Sequence, residues 1–136
     1  MSAKLDVLLI DDDPISNFIT SELIVEAKLP VKLITIADSR EALEYMLSRY
    51  NNATEPIENF MVLLDLSMPG LDGFEVLQSL NERGIKQYLN VVVLTSSDHM
   101  KDRKRAHDLG VNGFLQKPLN TQQLKPLLET QLDVLH

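Results

Sequence analysis

At 136 residues, with 44% hydrophobic and 24% charged content, the chain has the make-up of one soluble globular domain with a single core. It contains no cysteine, which excludes disulfides and thiolate metal sites, and its net charge of −7 argues against direct binding to DNA or RNA. No apolar run approaches the roughly 18 to 20 residues of a membrane span. The N-terminal MSAKLDVLLI is too short for a signal peptide and lacks a small-residue cleavage site. The expectation is a cytoplasmic protein with neither membrane nor nucleic-acid partners.

Val7 to Ile10 is a continuous apolar run, the mark of a strand buried on both faces. It stops at Asp11-Asp12-Asp13-Pro14, where the proline suits a first helical turn. Ile15, Phe18, Ile19 and Leu23 then recur at helical spacing, and Pro30 ends that helix. Val31 to Ala37 is rich in β-branched residues and predicts a second strand. Asp38, with Glu41 three residues on, predicts a capped helix whose stripe is Ala42, Leu43, Met46 and Leu47. The polar stretch Asn51 to Asn59, holding Pro56, is a surface connection.

Phe60 to Leu66 predicts the third strand. It carries three apolar residues straight into Asp65, followed by a Met68-Pro69-Gly70 turn. A helix from about Gly73 to Glu82 turns Phe74, Val76, Leu77 and Leu80 inward, with Gly84 just past its end. Val91 to Leu94 is a fourth strand ending in Thr95-Ser96-Ser97. A charged helix over about Asp98 to Leu109 leads to Gly110. Its basic cluster, Lys101, Arg103, Lys104 and Arg105, reads as a solvated helix face. Gly113 to Gln116 is a short fifth strand closed by Lys117-Pro118. Asn120 and Gln123 form a capping pair before Leu124, Leu127, Leu128 and Leu132. Pro126 inside that helix implies either a kink or a separate first turn.

Five strands alternating with five helices predict an α/β three-layer sandwich, a parallel sheet covered on both faces. Parallel strands point the same way, so the residues after them converge on one edge, where open α/β sheets do their chemistry. Asp11-Asp12-Asp13, Asp65, Thr95 and Lys117 all follow apolar runs. Clustered carboxylates repel unless a cation lies between them. An all-oxygen donor set without histidine or cysteine favours Mg²⁺. Asp65 is the candidate nucleophile toward phosphorus, with Lys117 and Thr95 placed to hold phosphate oxygens.

In LLIDDDP, LLDLSMPGLDG, VVVLTSS and GFLQKP, taken in order, the chain resembles the response-regulator receiver domains of two-component signalling, of the single-domain, chemotaxis-regulator-like kind. The resemblance implies a flavodoxin-like, doubly wound sheet in the order 2-1-3-4-5, one receiver unit over residues 1–136 with its core at about 4–132. Asp65 becomes the phosphoacceptor. Asp12 binds Mg²⁺ directly with Asp65 and the backbone carbonyl of Ser67, Asp11 acts through water, and Asp13 stays outside the metal shell. Thr95 and Phe114 are the switch pair, although Phe114 lacks the phenolic hydroxyl many relatives carry. Ser67 and Ser97 border the phosphate, and the Lys117-Pro118 bond is the one that is cis in the family.

The implied partners are a sensor histidine kinase or phosphotransfer protein and an unidentified downstream protein, for a monomer or weak homodimer. With no room for an output domain after Leu132, output passes through the face formed by Phe114 and residues 98–132, or by onward phosphate relay. Two rival readings carry distinct signatures. A haloacid-dehalogenase-type phosphohydrolase would have a second acid where Ser67 stands and a cap domain. A binding module that only keeps the fold would have lost one of Asp12, Asp65, Thr95 and Lys117. On the first reading the protein catalyses only its own phosphorylation and dephosphorylation. His99, His107 and His136 are isolated and read as solvent-facing.

Overall fold

The computed structural model describes residues 4–66, 73–95 and 100–134. In chain order these form β1 (Leu5–Ile10), α1 (Pro14–Ala27), β2 (Val31–Ile36), α2 (Ser39–Tyr50), β3 (Phe60–Asp65) and α3 (Gly73–Glu82). Then follow β4 (Asn90–Thr95), α4 (Met100–Asp108), β5 (Gly113–Gln116) and α5 (Thr121–Val134). All five strands pair in parallel in the order β2-β1-β3-β4-β5, as the resemblance implied. A single 3-10 turn at Lys86–Tyr88, which the sequence pattern does not announce, precedes β4.

The central strands are apolar along their whole length because alternate residues feed two separate cores. Leu8, Ile10, Val62, Leu64, Val91 and Val93 pack on one face against Ala42, Met46, Val76, Leu77, Leu80 and Ala106. Val7, Leu9, Met61, Leu63, Val92 and Leu94 pack on the other against Ile24, Leu124, Leu128 and Leu132. Fully burying one such aliphatic side chain contributes about 1.5–3 kcal/mol. These two layers enclose β3 completely, with every residue buried.

Helix α1 departs from the face its spacing suggested. Thr20, Ile24 and Ala27 turn inward, while Ile15 and Phe18 are 71% and 65% exposed. Apolar residues occur around most of this helix, so spacing alone does not choose its buried side. The Asp13 side chain caps α1 by accepting the Ile15 N–H, and Asp38 caps α2 by accepting the Arg40 N–H. Asn120 accepts the Gln123 N–H ahead of α5. That helix runs unbroken through Pro126 from Thr121 to Val134, so its first turn is not a separate element.

Beyond α3, Gly84 takes φ +71°, the left-handed conformation that a glycine cap supplies. The predicted start of α4 at Asp98, together with His99, Ser97, Ser67, the 68–70 turn and His136, lies outside the described residues. His107 is exposed, as expected.

Candidate functional site

The strand register brings the site together. Ile10 pairs with Leu64, so Asp11 follows directly beside Asp65. Asp65 pairs with Leu94, and Thr95 in turn pairs with Gln116, which sets Lys117 one residue further along. Asp11, Asp12 and Asp65 each offer a carboxylate oxygen, and these atoms all lie within 4.8 Å of one another. Asp13 is not among them; its carboxylate is engaged at the α1 cap.

Lys117 closes the cluster. Its ammonium donates to Asp11 Oδ2 at 2.8 Å and to Asp65 Oδ2 at 3.2 Å. The chain around it is held by the Lys117 N–H, which donates to the Thr95 carbonyl at 2.8 Å, and by a cis Lys117-Pro118 bond. Burial on its own would lower the Lys117 ammonium, but Asp11 and Asp65 outweigh it and hold the pKa above its ordinary value. Burial would likewise raise the Asp11 carboxyl. Lys117, the Asp13 N–H and the Ser16 hydroxyl overcome that and keep it below the usual carboxylate range.

Two residues of this network escape a reading of the sequence. Ser16 Oγ donates to Asp11 Oδ2 at 2.7 Å, and Asn17 Nδ2 donates to the Asp11 carbonyl at 2.9 Å. Both stand on the first turn of α1 and pin the segment that carries Asp12. A polar pair at the fifth and sixth positions after the first acid is the only signal for them. Gly73 is a third. A Cβ there would lie 2.5 Å from the Asp65 carbonyl and 2.6 Å from Leu66 Cα, so α3 can start this close to β3 only without a side chain.

Thr95 is buried at the end of β4, and Phe114 is half-buried in β5 against the core. The structure therefore collects Asp11, Asp12, Asp65, Thr95 and Lys117 on one sheet edge, with Phe114 three residues before Lys117. On the α1 side of Lys117 a groove of about 410 Å³ opens, lined by Ile15, Ile19, Pro118 and Leu119 among others.

The family model of the response regulator receiver domain matches residues 7–129. The chain belongs to that family. The receiver is 28% identical over 123 residues to response regulator Rcp1 of Synechocystis sp., covering 90% of this chain and 83% of that protein. It is 31% identical to the probable methanogenesis regulatory protein FilR2 of Methanothrix harundinacea, over 90% of this chain and 78% of that one. The solved structure of the bacteriophytochrome response regulator AtBRR superposes with a TM-score of 0.75 at 32% identity, over 97% of this chain and 94% of that one.

Membership makes the protein a receiver-domain response regulator of two-component signalling, a family of switches whose members interact with histidine kinases or phosphotransfer proteins. Receiver domains generally bind Mg²⁺ at an acidic pocket, and Asp11, Asp12 and Asp65 form such a cluster here. Among the described residues no helix is long and apolar enough to cross a membrane.

Proposed function

We propose that this receiver, acting as one unit over residues 1–136, accepts a phosphoryl group on Asp65 from a sensor histidine kinase or phosphotransfer protein. The single observation that carries the reading is the shared ammonium. Lys117 bridges Asp11 and Asp65 inside a three-carboxylate cluster, which supplies the cation that an attacking carboxylate and an arriving phosphoryl group both need. A carboxylate oxygen of Asp65 attacks phosphorus as the bond to the donor nitrogen breaks, leaving an acyl phosphate. Lys117 then pairs with a phosphoryl oxygen, and the Thr95 hydroxyl donates to another.

The donor set suits a hard divalent ion. All the clustered ligands are oxygens, and the one lysine leaves the acids only partly neutralised. Asp11, Asp12 and Asp65 would hold Mg²⁺, Asp12 directly and Asp11 through water, with the Ser67 carbonyl as a further ligand outside the described residues. The bound ion would offset charge on the phosphoryl oxygens. Most of the rate comes from positioning by rigid strand ends.

The donor docks on the α1 groove. Its lining mixes apolar Ile15, Ile19, Pro118 and Leu119 with Asp13, Ser16, Thr20 and Lys117, and the same helix exposes Phe18. Filling the phosphate site draws Thr95 toward it and lets Phe114 turn inward. Output follows by a change of partner affinity at the face of Phe114 and residues 98–132, or by phosphate relay. The protein works in the cytoplasm, as a monomer or weak homodimer, and its only catalysis is on its own phosphate.

Incubation with Mg²⁺ and acetyl phosphate, followed by intact mass, tests this. One hydroxylamine-labile phosphoryl group per chain, absent in Asp65→Asn, is the expected result. Rapid multiple turnover of phosphate monoesters points instead to a hydrolase, and an unchanged mass to a binding module.

A further inference from the structure

Ser16 carries no charge, yet its hydroxyl reaches the oxygen at the centre of the site. It is the third residue of α1, which starts at Pro14 behind the Asp13 cap. Helical side chains lean toward the N-terminus of their helix. That tilt carries the Ser16 hydroxyl back over the residues that precede α1, where it donates to Asp11 Oδ2 at 2.7 Å. The same oxygen takes the Lys117 ammonium at 2.8 Å. Asp11 Oδ1 is occupied separately, by the Asp13 N–H at 3.0 Å.

A carboxylate oxygen that already accepts one strong bond has less charge to offer a second donor. The Ser16 bond therefore loosens the hold of Asp11 on Lys117, whose ammonium also reaches Asp65 Oδ2 at 3.2 Å. The hydroxyl acts again when the ammonium leaves. The Asp11 side chain is fully buried, and a buried carboxylate stripped of its donors is costly. With Ser16 in place, Oδ2 keeps one donor after Lys117 has moved off. Asn17, the next residue, holds a different atom. Its Nδ2 donates to the Asp11 main-chain carbonyl at 2.9 Å, so it fixes the backbone and leaves the carboxylate to Ser16.

We infer that Ser16 is a positioning residue for phosphoryl transfer: through Asp11 it sets how freely Lys117 passes from the resting carboxylates to an arriving phosphoryl oxygen. The inference rests on the phosphoacceptor reading above. Both effects of the hydroxyl have the same sign. Without it, Lys117 is drawn more tightly to Asp11, and its departure leaves Oδ2 bare. Transfer to Asp65 then slows, although the acids that would hold Mg²⁺ are all still present.

Initial rates of phosphorylation by acetyl phosphate at saturating Mg²⁺, followed by intact mass, test this, with Mg²⁺ affinity measured by thermal shift on the same preparations. Ser16→Ala should slow the reaction about three- to tenfold, while its Mg²⁺ dissociation constant stays within about twofold of wild type. Ser16→Thr, which keeps a hydroxyl, should recover most of the lost rate. In a Lys117→Met background, with donor raised until modification is measurable, adding Ser16→Ala should change nothing further, because the two residues act as one unit. A Ser16→Ala rate equal to wild type overturns the inference. So does a rate loss matched by an equal loss of Mg²⁺ affinity, the mark of a merely structural role, or an undiminished loss in the Lys117→Met background. Wild type that gains a phosphoryl group while Ser16→Ala gains it equally fast removes the role of Ser16 alone; wild type that gains none on Asp65 removes the phosphoacceptor reading and this inference with it.

Discussion

Lys117 lies nearer to Asp11 than to Asp65, 2.8 Å against 3.2 Å, although Asp65 is the acid proposed to take the phosphoryl group. The side chain of Asp11 is fully buried and cannot be left without a counter-charge. Lys117→Met should therefore cost about 3 kcal/mol at neutral pH without metal, the scale for a buried pair that loses one partner. Part of that loss should be recovered near pH 5, where a carboxyl deprived of its cation takes up a proton. Urea unfolding at the two pH values measures both effects.

The same pair sets how stability varies with pH. Asp11 has a folded pKa below its unfolded value of about 3.9, so its contribution is present above that value and fades as pH falls through the folded one. Lys117 has a folded pKa above its unfolded value of about 10.4, so its contribution is present below that value and fades as pH rises through the folded one. The metal-free protein should show a plateau in Tm bounded by these two limbs. Asp11→Asn should flatten the acid limb in a series of melts from about pH 2.5 to 11.

Asp12 contributes charge to the cluster without sharing in the Lys117 bridge. Asp12→Ala should raise the Tm of the metal-free protein, because it relieves repulsion among clustered acids. The same variant should lose the Mg²⁺-dependent rise in Tm expected of wild type, a gain that grows with ligand concentration when only the folded state binds. A Mg²⁺ titration followed by differential scanning fluorimetry checks both halves, and an unchanged Mg²⁺ response would remove Asp12 from the metal ligands.

Gly73→Ala is the most economical way to disturb the site without touching a polar group. Its new methyl meets backbone atoms, the Asp65 carbonyl oxygen and Leu66 Cα, which cannot swing away as a flexible side chain could. A loss of about 1–3 kcal/mol is expected. It should be accompanied by weaker Mg²⁺ binding, because the strain falls on the peptide that carries Asp65.

Two substitutions on α1 separate its two sides. Ile24→Ala, in the core beneath the sheet, should destabilise by about 2–5 kcal/mol. Phe18→Ser, on the exposed side, should change stability by no more than about 0.5 kcal/mol. It should slow phosphotransfer from a protein donor while leaving modification by acetyl phosphate at the wild-type rate. Equal rates from the protein donor would move the docking site elsewhere.

How far the chain was legible follows from these residues. An apolar run that stops at an acid, a threonine or a lysine marks a buried strand and its carboxyl end together, so the sheet and most of the site could be read directly. Helix α1 could not be read so well. Its inward positions include polar Thr20, while Phe18 and Ile15 face solvent, and amphipathic spacing is informative only when the two sides differ in composition. Ser16 and Asn17 were missed because their value lies in distances to Asp11 that only the folded turn creates. Lys86 was missed for the opposite reason. A lysine before a strand reads as surface, yet this one is buried, its ammonium donating to Asn112 Oδ1 at 3.2 Å and its pKa lowered by burial.

The connection from Asn51 to Asn59 enters β3 at the end opposite Asp65, a strand's length of about 17 Å away. Its middle, at Thr54 and Glu55, is exposed, while the Ile57 N–H donates to the Tyr88 carbonyl and ties down the exit. Because the chain has no thiol of its own, Thr54→Cys would create a unique attachment point for a dye or spin probe. A reporter there would sit on the quiet side of the molecule, free to follow association with other proteins while leaving the reactive edge unencumbered.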